Sequence, residues 1–370
     1  MAKAFQKYLL PGLVFQSIVV GGGYGTGREL VQFFLTEGPL GGYCGMLVAT
    51  LVWGVILALG FELARSERHF DYRTFTKGLL GRGWIAFEVL YVLSTILTIA
   101  VVGSASGELS REMFGMAPLV GTLVAVAAVA FFAFWGSALI ERFFSLWSIA
   151  LYVVYLVMIA LVVPSFGGDI ARNAAISTPD SKWLVGGLEY AAYNLAALPA
   201  MLFVVRHLES RRDSMIAGFM AGLIAMFPGA LIYTALLAFY PSILEQTIPA
   251  NFVLGQLDRP GFQLFFQLVL FGTFIETGTG MVHGFNERIA GFLAERGRTL
   301  THRNRLGVAA VILVVSVWLA DRFGLIALIE RGYGMITYGY WLLFLAPILG
   351  VGLWRVVLGK QRGATPTSLG

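Results

Sequence analysis

The chain has 370 residues, of which 58% are hydrophobic and only 13% are charged, and its mean hydropathy is +0.78. Soluble domains carry about 25% charged residues, so this composition excludes an ordinary soluble domain and predicts an all-α membrane protein. A single cysteine, Cys44, excludes a disulfide framework or a cysteine-rich metal cluster within one chain.

Ten stretches approach the length of about 20 mostly apolar residues that a transmembrane helix needs. In chain order they are 8–35, 40–62, 84–107, 117–136, 143–164, 184–205, 214–240, 262–290, 306–320 and 333–357. The first begins like a signal peptide, with Lys3 and Lys7 before an apolar run, but no Ala-x-Ala cleavage site follows. We therefore expect it to be a span, and we expect residues 358–370 to form a cytoplasmic tail.

The positive charges are distributed unevenly between the two sides of these spans. Of the 26 Lys and Arg residues, 19 lie in the N-terminus, the even-numbered connections and the C-terminal end, six lie in the odd-numbered connections, and Arg28 lies inside the first span. The positive-inside rule then predicts a multi-pass protein of a bacterial inner membrane with both termini in the cytoplasm. The net charge of +5 is a topology signal and needs no nucleic-acid partner.

A short internal repeat suggests two halves of five spans each. The sequence Ala-Leu-Ile-Glu-Arg occurs at 138–142, after the fourth span, and again at 327–331, after the ninth. Such a string can arise by chance in a chain rich in Leu and Ala, but its matching position favours a repeat. We predict one five-helix repeat over 8–164 and a second, inverted one over 184–357, a plan that places a substrate site at the midplane of many secondary transporters.

The first span contains a glycine cluster that predicts a broken helix. Five glycines lie within 21–27 and are followed by Arg28 and Glu29. Each glycine costs a helix about 1 kcal/mol relative to alanine, and unwound backbone in a membrane is tolerated where it lines a wet cavity. The GxxxG spacing would also suit close helix packing, but charges directly after the cluster favour a functional break. A nucleotide-binding glycine loop is excluded because no soluble strand precedes it.

The sixth and eighth spans carry the other candidate site residues. Pro199 follows Tyr193 and Asn194 in the sixth span, and proline removes a backbone donor, so we expect an interruption near 193–198. A Pro kink without a site is the alternative. In the eighth span Thr273, Glu276 and Thr277 share a helical face. A buried carboxyl group can carry a proton, and with hydroxyls it can also hold Na⁺; an inter-helix hydrogen bond is the alternative.

A metal site and an enzyme active site are both disfavoured by the sequence. His283 and Glu287 are four residues apart, but no second histidine lies near them, so we predict no metal. The chain contains no Gly-x-Ser-x-Gly or His-Glu-x-x-His motif and no paired intramembrane aspartates. We predict that it is not an enzyme and that it needs no cofactor.

Two motifs resemble those of a known group. The stretch 23–30 with Phe33 and Phe34 resembles the Gly-Ala-Gly-Phe-Ala-Ser-Gly-(Gln/Arg)-Glu motif of the YkvI-type bacterial membrane proteins, with Gly and Tyr where those have Ala and Phe. The stretch 192–195 resembles their sixth-span motif. These proteins are similar to the amino acid–polyamine–organocation transporters with the LeuT fold. The resemblance implies a 5+5 inverted repeat with broken first and sixth helices, and covers about 8–357.

The resemblance also implies roles for individual residues. The substrate would lie between the first and sixth spans, where the candidate contacts are Gly21, Gly22, Gly23, Tyr24, Gly25, Thr26, Tyr193 and Asn194. Tyr24 is a candidate lid, and Arg28 and Glu29 are candidate gate residues. A coupling ion would bind at Thr273, Glu276 and Thr277. The acid at position 276 replaces one of the usual hydroxyls, so H⁺ is a candidate coupling ion in addition to Na⁺.

The sequence thus predicts an ion-coupled symporter that moves a small polar solute by alternating access, with an amino acid as the leading solute. Broken helix ends offer sites for an anion and a cation side by side, as a zwitterion requires. A nucleobase, an organic cation or a metal ion is the alternative solute, and a non-transporting membrane receptor is the alternative function. The sequence does not indicate the oligomeric state.

The charge asymmetry makes a direct prediction about the C-terminus. A reporter that is active only in the cytoplasm, fused after Arg362, should be active, because the connections rich in Lys and Arg stay on the cytoplasmic side. A reporter that is active only in the periplasm serves as the control. Periplasmic activity would contradict the ten-span assignment, since ten spans put both ends on one side.

Overall fold

A computed structural model describes residues 2–135, 137–176, 182–294, 297–299 and 301–358, and within these ranges all regular elements are helices. The tail predicted for 358–370 lies outside these ranges from residue 359 onward. The bundle is built around buried aromatic and aliphatic side chains.

The long helices are labelled α1 to α10 in chain order. Helix α1 comprises Leu10–Val19, Gly22–Gly25 and Arg28–Phe33. The next helices are α2 (Pro39–Glu67), α3 (Trp84–Phe114), α4 (Pro118–Trp135), α5 (Ser137–Ala174) and α6 (Lys182–His207). They are followed by α7 (Arg211–Leu236), α8 (Pro260–Ala294), α9 (His302–Ala327) and α10 (328–358). Two short helices, Tyr72–Leu80 and Pro249–Gly255, lie in the connections α2–α3 and α7–α8.

Helices α9 and α10 differ from the sequence prediction, which left a connection between residues 320 and 333. The chain stays helical through this stretch, although Gly324, with a φ of 73°, interrupts the α-helix and Leu328–Tyr333 is π-helical. Leu325, Leu328 and Ile329 are buried there, so the apolar content of the stretch keeps it inside the bundle. The second copy of the repeated pentapeptide is accordingly helical.

The ends of the helices define two faces of the bundle. Lys7, before α1, contacts Glu209 at 2.7 Å and Asp213 at 3.2 Å, at the start of α7. Asp213 also forms a capping box with Ser210, which fixes where α7 begins. Arg355, near the end of α10, contacts Glu67 at the end of α2. We call this the terminal face, and we call the face at which α1 ends the opposite face.

Helices α2 and α7 pack closely because small residues line their contact. A Cβ atom on Gly222 would lie 2.8 Å from the carbonyl oxygen of Thr50 and 3.1 Å from the amide nitrogen of Gly54. The ring of Trp53 on α2 meets Phe15 of α1 edge-on, with 5.2 Å between centroids. This contact holds the first half of α1 against α2.

The outer surface of the bundle is apolar, as a lipid-facing surface must be. Leu342, Val314 and Trp318 are 73%, 68% and 61% exposed. Within the described residues, 7 helices are long and apolar enough to cross a membrane, with one shorter apolar helix at Pro118–Phe132. The count is below ten because α9 and α10 form one continuous stretch, α4 is the shorter helix and α1 is divided into short pieces. The chain is a membrane protein; the division into repeats at 8–164 and 184–357 stays a prediction.

Candidate functional site

Helix α1 is interrupted in the glycine cluster. Gly21 is extended, with φ −112° and ψ −158°, and Gly27 has a φ of 79°, a value that glycine adopts without strain. The Thr26 hydroxyl donates to the carbonyl oxygen of Gly23 at 2.8 Å and accepts from the amide of Arg28 at 3.2 Å. These local bonds satisfy backbone groups that a continuous helix would otherwise pair.

Helix α6 changes its geometry close to this interruption. It is α-helical to Asn194 and becomes a 3₁₀-helix over Leu195–His207, which contains Pro199. The ring of Tyr193 stacks on that of Tyr333 from α10, with 4.6 Å between centroids and 17° between planes. Asn194 donates from its side-chain amide to the carbonyl oxygen of Tyr190 at 2.9 Å, one turn earlier.

A cavity of about 70 Å³ lies between the two interruptions. Helices α1, α3, α6, α8 and α10 all contribute to its wall. We call it the central cavity; its polar lining residues are Glu29, Tyr91, Ser94, Thr95, Thr98, Tyr193, Asn194, Thr277, Tyr333 and Tyr340. Hydroxyl groups, one amide and one carboxyl group therefore face a space suited to a small polar solute.

The carboxyl group in this wall belongs to Glu29, which is only 4% exposed. Its Oε2 accepts a hydrogen bond of 2.6 Å from the Tyr193 hydroxyl. The side chain folds back over Gly23, where a Cβ atom would lie 2.7 Å from both Cγ and Cδ of Glu29. The glycine at position 23 thus makes room for the acid. The structure places Glu29 in the cavity wall, and its role as a gate residue stays a prediction.

The remaining first-helix candidates face in several directions. Gly21 and Gly22 line the central cavity, whereas Gly25 packs against Leu270 and Tyr155. Tyr24 is completely buried, and its hydroxyl donates to the carbonyl oxygen of Ala225 on α7 at 3.0 Å. It is not among the residues that line the central cavity, and its role as a lid stays a prediction.

Arg28 is 3% exposed and points toward the opposite face. Its guanidinium group donates to the carbonyl oxygens of Leu244 at 2.7 Å and Gln246 at 3.1 Å, in the α7–α8 connection. The amide of Ala250 in the same connection donates to the carbonyl oxygen of Thr26 at 2.9 Å. This connection therefore covers the second half of α1. A third hydrogen bond, of 3.2 Å, runs from the Arg28 guanidinium group to the side-chain oxygen of Gln32.

The predicted ion-coupling residues are divided between two cavities. Thr277 lines the central cavity, and a Cβ atom on Gly21 would lie 3.3 Å from its methyl carbon and 3.7 Å from its hydroxyl oxygen. Thr273 and Glu276 line a neighbouring cavity of about 480 Å³ between α1, α5 and α8. Gln16 of α1 shares that wall. The three residues thus occupy both sides of the contact between α1 and α8.

A third cavity, of about 520 Å³, lies at the terminal face and shares Tyr91 with the central cavity. The guanidinium carbon of Arg288 lies 3.7 Å from the ring centroid of Tyr72 and 3.3 Å from that of Tyr91. Glu88 accepts from the Tyr72 hydroxyl at 2.5 Å and lies 3.7 Å from Arg288. Sequence reasoning missed this cluster, because it treated Arg288 only as a loop charge.

No group of three His, Cys, Asp or Glu side chains that could hold a metal ion occurs among the described residues. The side chain of Glu287, half of the His283–Glu287 pair, lies outside them.

Sequence and structure comparisons identify similar proteins. The chain is 24% identical over 349 residues to the uncharacterized membrane protein YkvI of Bacillus subtilis (strain 168), covering 88% of this chain and 90% of YkvI. No family model matches the chain.

Three solved structures share the fold at low sequence identity. MhsT in complex with L-phenylalanine has a TM-score of 0.58 at 14% identity and matches 95% of this chain and 98% of its own. Mhp1 in an inward-facing conformation has a TM-score of 0.64 at 14% identity, with coverages of 95% and 77%. A manganese transporter from Eremococcus coleocola has a TM-score of 0.55 at 16% identity, with coverages of 100% and 82%. The predicted all-α, LeuT-like fold and the resemblance to YkvI are confirmed.

Proposed function

We propose that this protein is a secondary transporter that moves a small polar solute across a bacterial inner membrane by alternating access, with both termini in the cytoplasm. The observation that carries the proposal is the central cavity, which lies where α1 and α6 are both interrupted. Transporters place solutes at such interruptions because unwound backbone exposes hydrogen-bonding groups. The fold supports the proposal, since the solved structures that share it are of transporters and not of enzymes.

An amino acid is the leading solute. The cavity of about 70 Å³ offers a carboxyl group and several hydroxyls, which suit a small solute with both charged and hydrogen-bonding groups. We assign direct contact to Gly21, Gly22, Tyr193 and Asn194, which line it. Gly23, Tyr24, Gly25 and Thr26 would support the unwound backbone. MhsT was solved with L-phenylalanine. Mhp1 is a nucleobase-cation-symport-1 family transporter, and the third neighbour is a manganese transporter. A nucleobase, an organic cation or a metal ion is therefore the alternative solute class.

Alternating access requires that each face close in turn. Arg28 supports closure of the opposite face, because it ties the second half of α1 to the α7–α8 connection. The terminal-face cavity meets the central cavity at Tyr91, where Arg288 covers the ring. We assign the first of these contacts to the periplasmic gate and the second to the cytoplasmic gate.

The coupling ion, H⁺ or Na⁺, would bind where α1 meets α8. Thr277 beside Gly21 offers a hydroxyl oxygen, and Thr273 and Glu276 offer further oxygens across the same helix contact. Oxygen ligands suit Na⁺, and a carboxyl group suits H⁺. This placement lets ion binding hold α1 against α8 while the solute occupies the central cavity.

The Gly23→Leu variant tests the proposed solute site. A larger side chain at position 23 should displace the Glu29 carboxyl group and close part of the central cavity. We expect a folded, extractable protein whose binding and uptake fall roughly tenfold or more, a loss of at least about 1.4 kcal/mol. The measurement is a thermal-shift and proteoliposome-uptake panel of amino acids, nucleobases and amines, with and without Na⁺, at two pH values.

The control for this experiment is Gly280→Leu, because Gly280 on α8 has no atom within 4 Å of a Cβ position. Normal uptake by Gly23→Leu would show that the glycines only pack and that the site is misplaced. Binding without accumulation in the native protein would instead support the receptor alternative.

Glu276→Gln tests the coupling assignment, since it keeps the shape of the side chain and removes the titratable proton. If H⁺ drives transport, the variant should still exchange solute but lose uptake driven by a pH gradient. If Na⁺ drives transport, its Na⁺ requirement should weaken. Asp321→Asn on exposed surface is the control. Unchanged ion dependence would make Glu276 structural, and Glu189 on α6 would be tested next.

A further inference from the structure

Glu29 is a buried acid in the wall of the central cavity. The ion-coupling site proposed above does not include it. Its Oε2 accepts from the Tyr193 hydroxyl, and its side chain covers Gly23. Because Tyr193 stacks on Tyr333, this one carboxyl group connects α1, α6 and α10 around the cavity. A change in its charge would therefore alter the interactions among three helices.

Among the described residues that line the central cavity, none supplies a positive charge to balance Glu29. Among the residues that line the central cavity, Glu29 is the only one with an acidic or basic side chain. From α1, Arg28 turns to the α7–α8 connection and the Tyr24 hydroxyl turns to α7. The other titratable groups on this side of the cavity are tyrosines: Tyr190 and Tyr193 of α6, Tyr333 and Tyr340 of α10, and Tyr91 of α3. On α8, Glu276 lines the neighbouring cavity, and Arg288 lies beyond the ring of Tyr91.

An ionised carboxylate is strongly disfavoured in a low-dielectric interior unless a cation or several donors balance it. The donors to Glu29 are the Tyr193 hydroxyl and the backbone amide of Tyr24, and both are neutral groups. We propose that Glu29 is a proton-binding site of the central cavity, and that it holds a proton whenever the cavity is closed without a solute. This proton is additional to the ion at Thr273, Glu276 and Thr277.

The proton gives the cavity two states. With the proton bound, Glu29 is neutral and keeps its hydrogen bond from Tyr193. The neutral group is stable in a small closed cavity without a solute. When the cavity opens to a face of higher pH, the proton passes from the carboxyl group to cavity water and leaves a carboxylate. That carboxylate attracts water or a cationic group of the solute, which opposes closure of an empty cavity. The link to transport rests on the proposed function, whereas the protonation of Glu29 does not.

The experiment is infrared difference spectroscopy of the purified, solute-free protein, titrated over pH in H₂O and in D₂O. A buried protonated carboxyl group gives a carbonyl-stretch band that shifts on deuteration. We expect Glu29→Gln to lose one component of this band. The control Glu245→Gln, which changes an acid exposed in the α7–α8 connection, should keep it. A spectrum of Glu29→Gln identical to the native one would overturn the proposal.

Tyr193→Phe provides a second readout if Glu29→Gln does not fold. Removing the hydroxyl donor should move the band to higher frequency without abolishing it, because the carboxyl group loses one hydrogen bond. An unmoved band in Tyr193→Phe would also overturn the proposal. If the band behaves as expected but native proteoliposomes neither accumulate nor exchange any solute of the panel, the transport function fails while the proton site stands.

Discussion

The burial of the Glu29 carboxyl group beside the Gly23 backbone is the constraint on which the central cavity depends. An unbalanced buried charge costs several kcal/mol, so the group is stable there only with a proton or a cation and a hydrogen-bond donor. Tyr193 supplies that donor at 2.6 Å, and Gly23 supplies the space. The interruption of α1 therefore both exposes backbone groups and lets an acid from the next turn fold back into the cavity.

Arg28 and Glu29 are adjacent in the chain, but successive side chains on a helix point about 100° apart. Glu29 accordingly enters the cavity, while Arg28 reaches the carbonyl oxygens of the α7–α8 connection. A movement of this half of α1 must change both sets of contacts together. The contacts at the opposite face and those in the cavity are thereby linked through a single helical turn.

Much of this arrangement could be predicted from the sequence, because its signals are local. The glycine cluster, Pro199 and the polar stripe of α8 each imply a broken or wet helix by composition alone. The directions of side chains could not be predicted, since they depend on tertiary packing. Tyr24 turns to α7, Arg28 binds main-chain oxygens that no sequence motif marks, and α9 runs into α10 because buried apolar residues fill the expected connection.

The most direct test of the account is whether the central cavity is reached from both faces. A thiol introduced by Thr98→Cys in a Cys44→Ser background would be titrated with a membrane-impermeant reagent from each side of sealed vesicles. The account predicts reaction from both sides, and it predicts that Arg28→Gln accelerates reaction from the periplasmic side and slows it from the cytoplasmic side. Reaction from one side only, with rates that Arg28→Gln leaves unchanged, would contradict alternating access through this cavity.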